Sequence, residues 1–268
     1  MNGIKFNITR KGNLYYVSNT GTNSRRSLIE WHNILGHVNR EDLLKSSEVT
    51  DGISISGDRK PFDCETCIKG KMTRNRNHSN THVVQHKLDL IFCDINGPMS
   101  VESNEGSRYV INFVDEFSGA VYVYFLKSKG DAPKALQRFL ADISPYGRVK
   151  RFRSDNAPEF CSKEFSSILI NNLVKQEFSC PYSPHQNGKA ERMWRTIFEI
   201  GRCLLIHAGL PNSMWNYAVK TAVYIKNRVY FKRTGKSPIE SLTGTRPNLS
   251  NMHQFGSKCH YYIETKKK

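Results

Sequence analysis

A chain of 268 residues can bury the core of one domain of ordinary size and a smaller unit beside it. Forty Lys and Arg against 24 Asp and Glu give a formal charge of +16, which favours nucleic acid as partner, while 38% hydrophobic and 11% aromatic residues exclude a disordered basic tail. No run approaches the ~20 apolar residues that span a bilayer, the amino terminus lacks the apolar centre of an export signal, and seven scattered cysteines argue against a disulfide framework, so the expectation is an intracellular chain with no membrane partner.

Residues 1–30 hold one strand pattern, Asn13–Val17, and then a polar loop from Ser18 to Arg26; they carry no recognisable chemistry. Their abrupt start leads us to expect a natural polypeptide that begins further upstream. Residues 31–80 read as a small zinc-binding unit. Trp31-His-Asn-Ile-Leu-Gly-His37 is followed, after 26 residues, by Cys64-Glu-Thr-Cys67. Zn²⁺ takes four N and S donors in a tetrahedron, and His32, His37, Cys64 and Cys67 supply such a set. The histidines stand five apart, one more than the spacing that stacks side chains on a helix, so a helix end or distortion is expected at Gly36. Leu43, Leu44 and Val49 are expected to pack around one structural ion, which for so small a unit supplies on the order of 10 kcal/mol of folding free energy. The stretch from Lys69 to Arg76 has four basic residues and no acid, and reads as a linker able to touch phosphates. His78, His82 and His86 recur at intervals of four among polar neighbours, where an ordinary solvated run is the simpler reading.

Three strand patterns follow, Leu88 to Ile95, Arg108 to Val114 and Ala120 to Leu126, joined by short turns that imply antiparallel pairing. A helix opened by Asp131 with Pro133 in its first turn, a strand ending at Asp155, a helix from about Ser162 to Leu173, a strand from Val174 to Cys180 and a helix starting near Glu191 complete the pattern. Asp94, Asp155 and Glu191 thus sit at the ends of three separate elements, with 35 residues between the last two. Hard carboxylate oxygens gathered in that way suit Mg²⁺ or Mn²⁺, and the matching chemistry is phosphoryl transfer on a polyanion. Cys93 should point to the sheet face opposite Asp94. Ala190, Met193, Ile197, Ile200 and Leu204 trace an apolar stripe that reads as core. Lys189 and Arg192 flank Glu191 and read as phosphate contacts. Asn156, Gln186 and Asn187 suit either DNA contact or helix capping, and Glu159 a helix-start role. Residues 215–236 are basic without an acid and interleave Lys220 and Arg228 with Tyr217, Tyr224, Tyr230 and Phe231, the footprint of a nucleic-acid surface.

Taken together, Trp31-His-x4-His37 with Cys64-x2-Cys67, the acids Asp94, Asp155 and Glu191, Ser154-Asp-Asn-Ala-Pro-Glu-Phe160 and Gln186-Asn-Gly-Lys-Ala-Glu-Arg192 resemble the integrase of copia-type long-terminal-repeat retrotransposons over nearly the whole chain. The resemblance implies an α/β RNase H-like mixed sheet flanked by helices at residues 88–208, preceded by the helical His2Cys2 zinc domain at 31–80 and followed by a basic extension at 209–268. It also implies two Mg²⁺ or Mn²⁺ ions at the acidic triad, with Asp94 shared between them, metal-dependent 3′-end processing and strand transfer of element DNA into target DNA, and a homo-multimer acting in a cytoplasmic particle and the nucleus. Ala157-Pro158 departs from the glycines that the family carries there, and the chain stops at Lys268 before most of the family's carboxy-terminal region, which implies a truncated or processed piece. Two other readings compete: a catalytically idle DNA-binding remnant, and a simple RNase H-like endonuclease that cuts without joining.

Overall fold

The structure, a computed structural model, describes residues 7–11, 14–18, 25–71, 84–179 and 184–258, with only the backbone course of 7–11, 14–18 and 184–190. Strands β1 (Asn7–Lys11) and β2 (Leu14–Ser18) pair as an antiparallel hairpin. The expected strand near Val17 is therefore present as β2, and its partner β1 is an addition. The next segment contains β3 (Arg26–Ser27), α1 (Leu28–Ile34), α2 (Arg40–Val49), β4 (Ile55–Ser56) and α3 (Glu65–Lys71). Ser27 and Glu30 form a capping box at the start of α1, and the Asn39 side chain accepts from the Asp42 backbone N–H at the start of α2.

The central sheet is built from β5 (Ile91–Asn96), β6 (Tyr109–Asp115), β7 (Val121–Leu126), β8 (Arg151–Ser154) and β9 (Lys175–Phe178), in the order β7-β6-β5-β8-β9. β5, β6 and β7 are antiparallel neighbours, as their short turns imply, and β8 and β9 add in parallel on the other side. β5 starts later than the apolar pattern suggests because Leu88 takes a left-handed φ of 63° and turns the chain, its N–H donating to Asp115 Oδ1 at 2.9 Å.

Period-two alternation divides the core between the two faces. Ile91, Cys93, Ile111 and Phe113 join one apolar cluster with α4 (Ala132–Ile143) and α5 (Lys163–Asn171), where Phe113 and Phe139 stack at 4.3 Å. Leu90, Phe92, Val110 and Val114 face the other cluster, with Trp194 and Ile197 of α6 (Pro184–Ala208) and Ala218 and Ala222 of α7 (Trp215–Lys226). Cys93 is fully buried on the face away from α6, as the alternation requires.

The histidine-bearing segment shares that second cluster: Trp31, Leu35 and Leu43 are buried together with Ile200, Leu204 and Ile225. The chain beyond α7, including α8 (Pro238–Thr243), returns to the same segment, where Asp51 pairs with Arg246 at 3.0 Å and its N–H bonds the Pro247 carbonyl. No helix among the described residues is long and apolar enough to cross a membrane.

Candidate active site and metal centre

β5 and β8 run parallel with Ile91 opposite Phe152 and Phe92 opposite Arg153, a register that carries Asp94 to the level of Asp155, the residue that follows β8. Neighbouring strands lie about 4.8 Å apart, so the two carboxylates emerge side by side. Asp94 shares the face of Phe92, on which α6 lies, and α6 carries Glu191, which is exposed. Burial, then the charge of Asp155 and also that of Glu191, raise the Asp94 carboxyl to about 7. The Ile95 N–H and the Lys129 ammonium act in the opposite direction.

Two groups beside the acids went unnoticed in the sequence. Asn112, fully buried on β6 directly across from Asp94, accepts from the Asp94 backbone N–H at 3.1 Å. Lys129 pairs with Glu159 at 2.9 Å, which raises the lysine pKa and leaves Glu159 largely buried, a stronger tie than the helix-start role expected for it. These partners are 30 positions apart in sequence, so local pattern carries no trace of their contact.

The remaining expected contacts are spread more widely. Asn156 is exposed just after Asp155. α6 begins at Pro184, seven residues before Glu191, since proline fits the first helical position; Gln186 and Asn187 are thus within the helix and do not cap it. Their side chains and that of Lys189 lie outside the described residues. Arg192 lines a cavity of about 380 Å³ with Lys226 and Arg233. Lys220 is exposed on α7, and Arg228 stacks on Tyr224 with its guanidinium 3.5 Å from the ring centre.

The second constellation is closer knit. α1 ends where expected: Gly36 and His37 both take left-handed φ, 64° and 61°, and the His37 N–H returns to the His32 carbonyl at 2.7 Å. That reversal brings His32, in the last helical turn, against His37, while α3 brings up Cys64 and Cys67. His32 Nε2 lies 3.1 Å from His37 Nδ1 and 3.3 Å from Cys67 Sγ, and Cys64 Sγ lies 3.3 Å from His37 Nδ1. All four ligand atoms fall within 4.8 Å of one another. Donors bound tetrahedrally at zinc distances sit about 3.3–3.8 Å apart, so this set fits the ion.

The Val38 carbonyl accepts from His32 Nδ1 at 2.8 Å, which fixes the tautomer that presents Nε2 to a metal. Burial lowers both histidine pKa values, that of His37 to about 3, so both rings are neutral and able to ligate. Burial also raises the Cys67 thiol to about 12, a cost that a bound dication offsets by favouring thiolate. Phe62 packs edge-on to the His32 ring and His207 to the His37 ring, while Leu43, expected at the metal, belongs to the main core. The described residues of the acidic triad do not form a comparably tight ligand cluster.

Residues 84–184 match the integrase core domain family. The chain is 36% identical over 200 residues, 74% of its length, to the retrovirus-related Pol polyprotein from transposon TNT 1-94 of Nicotiana tabacum, of which it covers 15%. It is 31% identical over 246 residues, 90% of its length, to that from transposon RE1 of Arabidopsis thaliana, of which it covers 16%. It therefore spans less than a fifth of the length of these curated relatives. Among solved structures, the simian T-cell lymphotropic virus intasome in complex with the PP2A regulatory subunit B56 gamma matches with a TM-score of 0.52 at 18% identity, covering 76% of this chain and 69% of that chain. The mixed sheet with helices on both faces is accordingly the RNase H-like fold of that neighbour, with the His2Cys2 cluster preceding it. The chain belongs to the integrase family and corresponds to the integrase region of copia-type retrotransposon Pol polyproteins.

Proposed function

We propose that this chain is a metal-dependent polynucleotidyl transferase that trims the 3′ ends of element DNA and joins them to target DNA. The observation that carries this reading is the placement of Asp94 on β5 level with Asp155 just past the end of the parallel strand β8, on the sheet face that packs against the helix bearing Glu191, with Asp94 raised to about 7. Such a group is costly to ionise alone and is suited to a cation. Asp94, Asp155 and Glu191 would hold two Mg²⁺ or Mn²⁺ ions, which supply charge stabilisation for the attacking and leaving oxygens at phosphorus. Asn112 fixes the strand that presents Asp94. Lys129, held by Glu159, adds a positive charge at the rim where a phosphate can approach.

His32, His37, Cys64 and Cys67 would hold one zinc ion that stabilises the fold of the preceding segment. The net charge of +16 and the cations Arg192, Lys220 and Arg228 support DNA as the partner. Joining both ends of one element requires at least two active sites, hence a multimer, at work in a cytoplasmic particle and in the nucleus. The processing step is tested with a labelled blunt duplex carrying the element's terminal sequence, incubated with the full chain and Mn²⁺. We expect release of the terminal 3′ nucleotides by the wild type and none by Asp155→Asn; equal release by both chains would refute the assignment.

A further inference from the structure

The mutual contacts of α6 and the His2Cys2 cluster extend beyond apolar packing. Arg202 donates to the Gly70 carbonyl at 3.0 Å, Cys203 donates to the Thr66 carbonyl at 3.8 Å, and a side chain at Gly70 would meet Cys203 Sγ at 2.6 Å. A side chain at Gly36 would strike Ile200 at 2.6 Å. Both segments that bring in metal ligands thus rest on the helix that carries Glu191.

Within that contact one group lacks a partner. His37 directs Nδ1 to the cluster, 3.1 Å from His32 Nε2 and 3.3 Å from Cys64 Sγ, and its Nε2 is buried without a hydrogen bond. Once Nδ1 binds a metal, Nε2 must carry the ring hydrogen and needs an acceptor. The ring of His207, half-buried near the end of α6, lies 5.5 Å from that of His37 in an edge arrangement. Histidine χ2 is a soft torsion, which leaves both rings free to turn toward one another at this separation.

We propose that His207 accepts the Nε2 hydrogen of metal-bound His37 and so ties the zinc centre to the helix that bears Glu191. His207 is then a positioning residue. The inference rests on reading the four-residue cluster as a zinc centre, and the experiment separates the two ideas. Zinc affinity of the full chain is measured by competition with a chromogenic chelator for wild type, His207→Phe and His207→Gln. Phenylalanine keeps an aromatic ring without an acceptor, whereas glutamine restores an acceptor. We expect His207→Phe to weaken zinc binding about 10- to 100-fold and His207→Gln to recover most of that loss. Hydrogen exchange supplies a second readout: zinc should slow exchange of the α6 amides in wild type and His207→Gln, and less in His207→Phe.

A wild-type chain that takes up no zinc removes the metal centre and this proposal with it. Zinc bound equally tightly by all three chains leaves the centre standing and overturns the role of His207. Equal loss in the phenylalanine and glutamine variants also overturns it, because packing and not hydrogen bonding would then be what His207 contributes.

Discussion

Asp94 is the residue in which fold and chemistry conflict. Its folded pKa of about 7 lies above the ordinary 3.8, so the protonated form favours folding. This contribution is full below about pH 3.8 and is lost as the pH rises through 7. Asp94→Asn keeps the shape without the charge. In metal-free protein we expect it to be more stable than wild type by roughly 1–3 kcal/mol at pH 8 and by almost nothing near pH 4. Chemical denaturation of both chains across that range checks the sign; a variant less stable than wild type at pH 8 would show that the buried charge is already compensated. Gly36 is a second sensitive position, since it combines a left-handed φ of 64° with Ile200 at 2.6 Å from any added Cβ. Gly36→Ala should cost about 2–4 kcal/mol in urea unfolding, and a loss below about 0.5 would mean that helix α1 can end another way.

The elements differ in how plainly the sequence announced them. Val110, Phe113 and Val121 alternate with neighbours on strands joined by short turns, so β5, β6 and β7 and their antiparallel pairing could be read locally. Asp155 could be assigned to a strand end for the same reason, whereas Asp94 lies within β5, which runs on to Asn96 because Ile95 and Asn96 still pair with β6. The start of α6 was harder, because Pro184 is compatible with either a turn or a first helical residue, and Glu191 moved from the helix start to its interior. Contacts between distant segments left no local signal: Lys129 with Glu159, Asn112 with Asp94, and His207 with His37 depend on which faces pack. The reading of Ser162 as a helix start can be tested alone, since its hydroxyl accepts from the Phe165 N–H at 3.2 Å. Ser162→Ala should lower stability by about 1 kcal/mol in chemical denaturation, and Ser162→Asp should largely retain it.

At the scale of the molecule, the histidine-bearing segment is no bead on a string. Trp31, Leu35 and Leu43 are buried in the same cluster as Trp194 and Ile200, so metal occupancy bears on the core as a whole. Stripping zinc with a chelator should lower the melting temperature of the entire chain in one cooperative transition, followed by calorimetry. Two transitions, the upper one indifferent to chelator, would show that the segment folds independently. DNA joining is proposed from the fold, the adjacent acids and the net charge of +16 together. The most direct test is strand transfer of a labelled, pre-cut element-end duplex into plasmid DNA with Mn²⁺, comparing the wild-type chain with Glu191→Gln. Joined product from the wild type and none from the variant is the predicted result. Joining that survives in Glu191→Gln, or a folded, zinc-loaded wild type that binds the DNA and never joins it, would contradict the assignment.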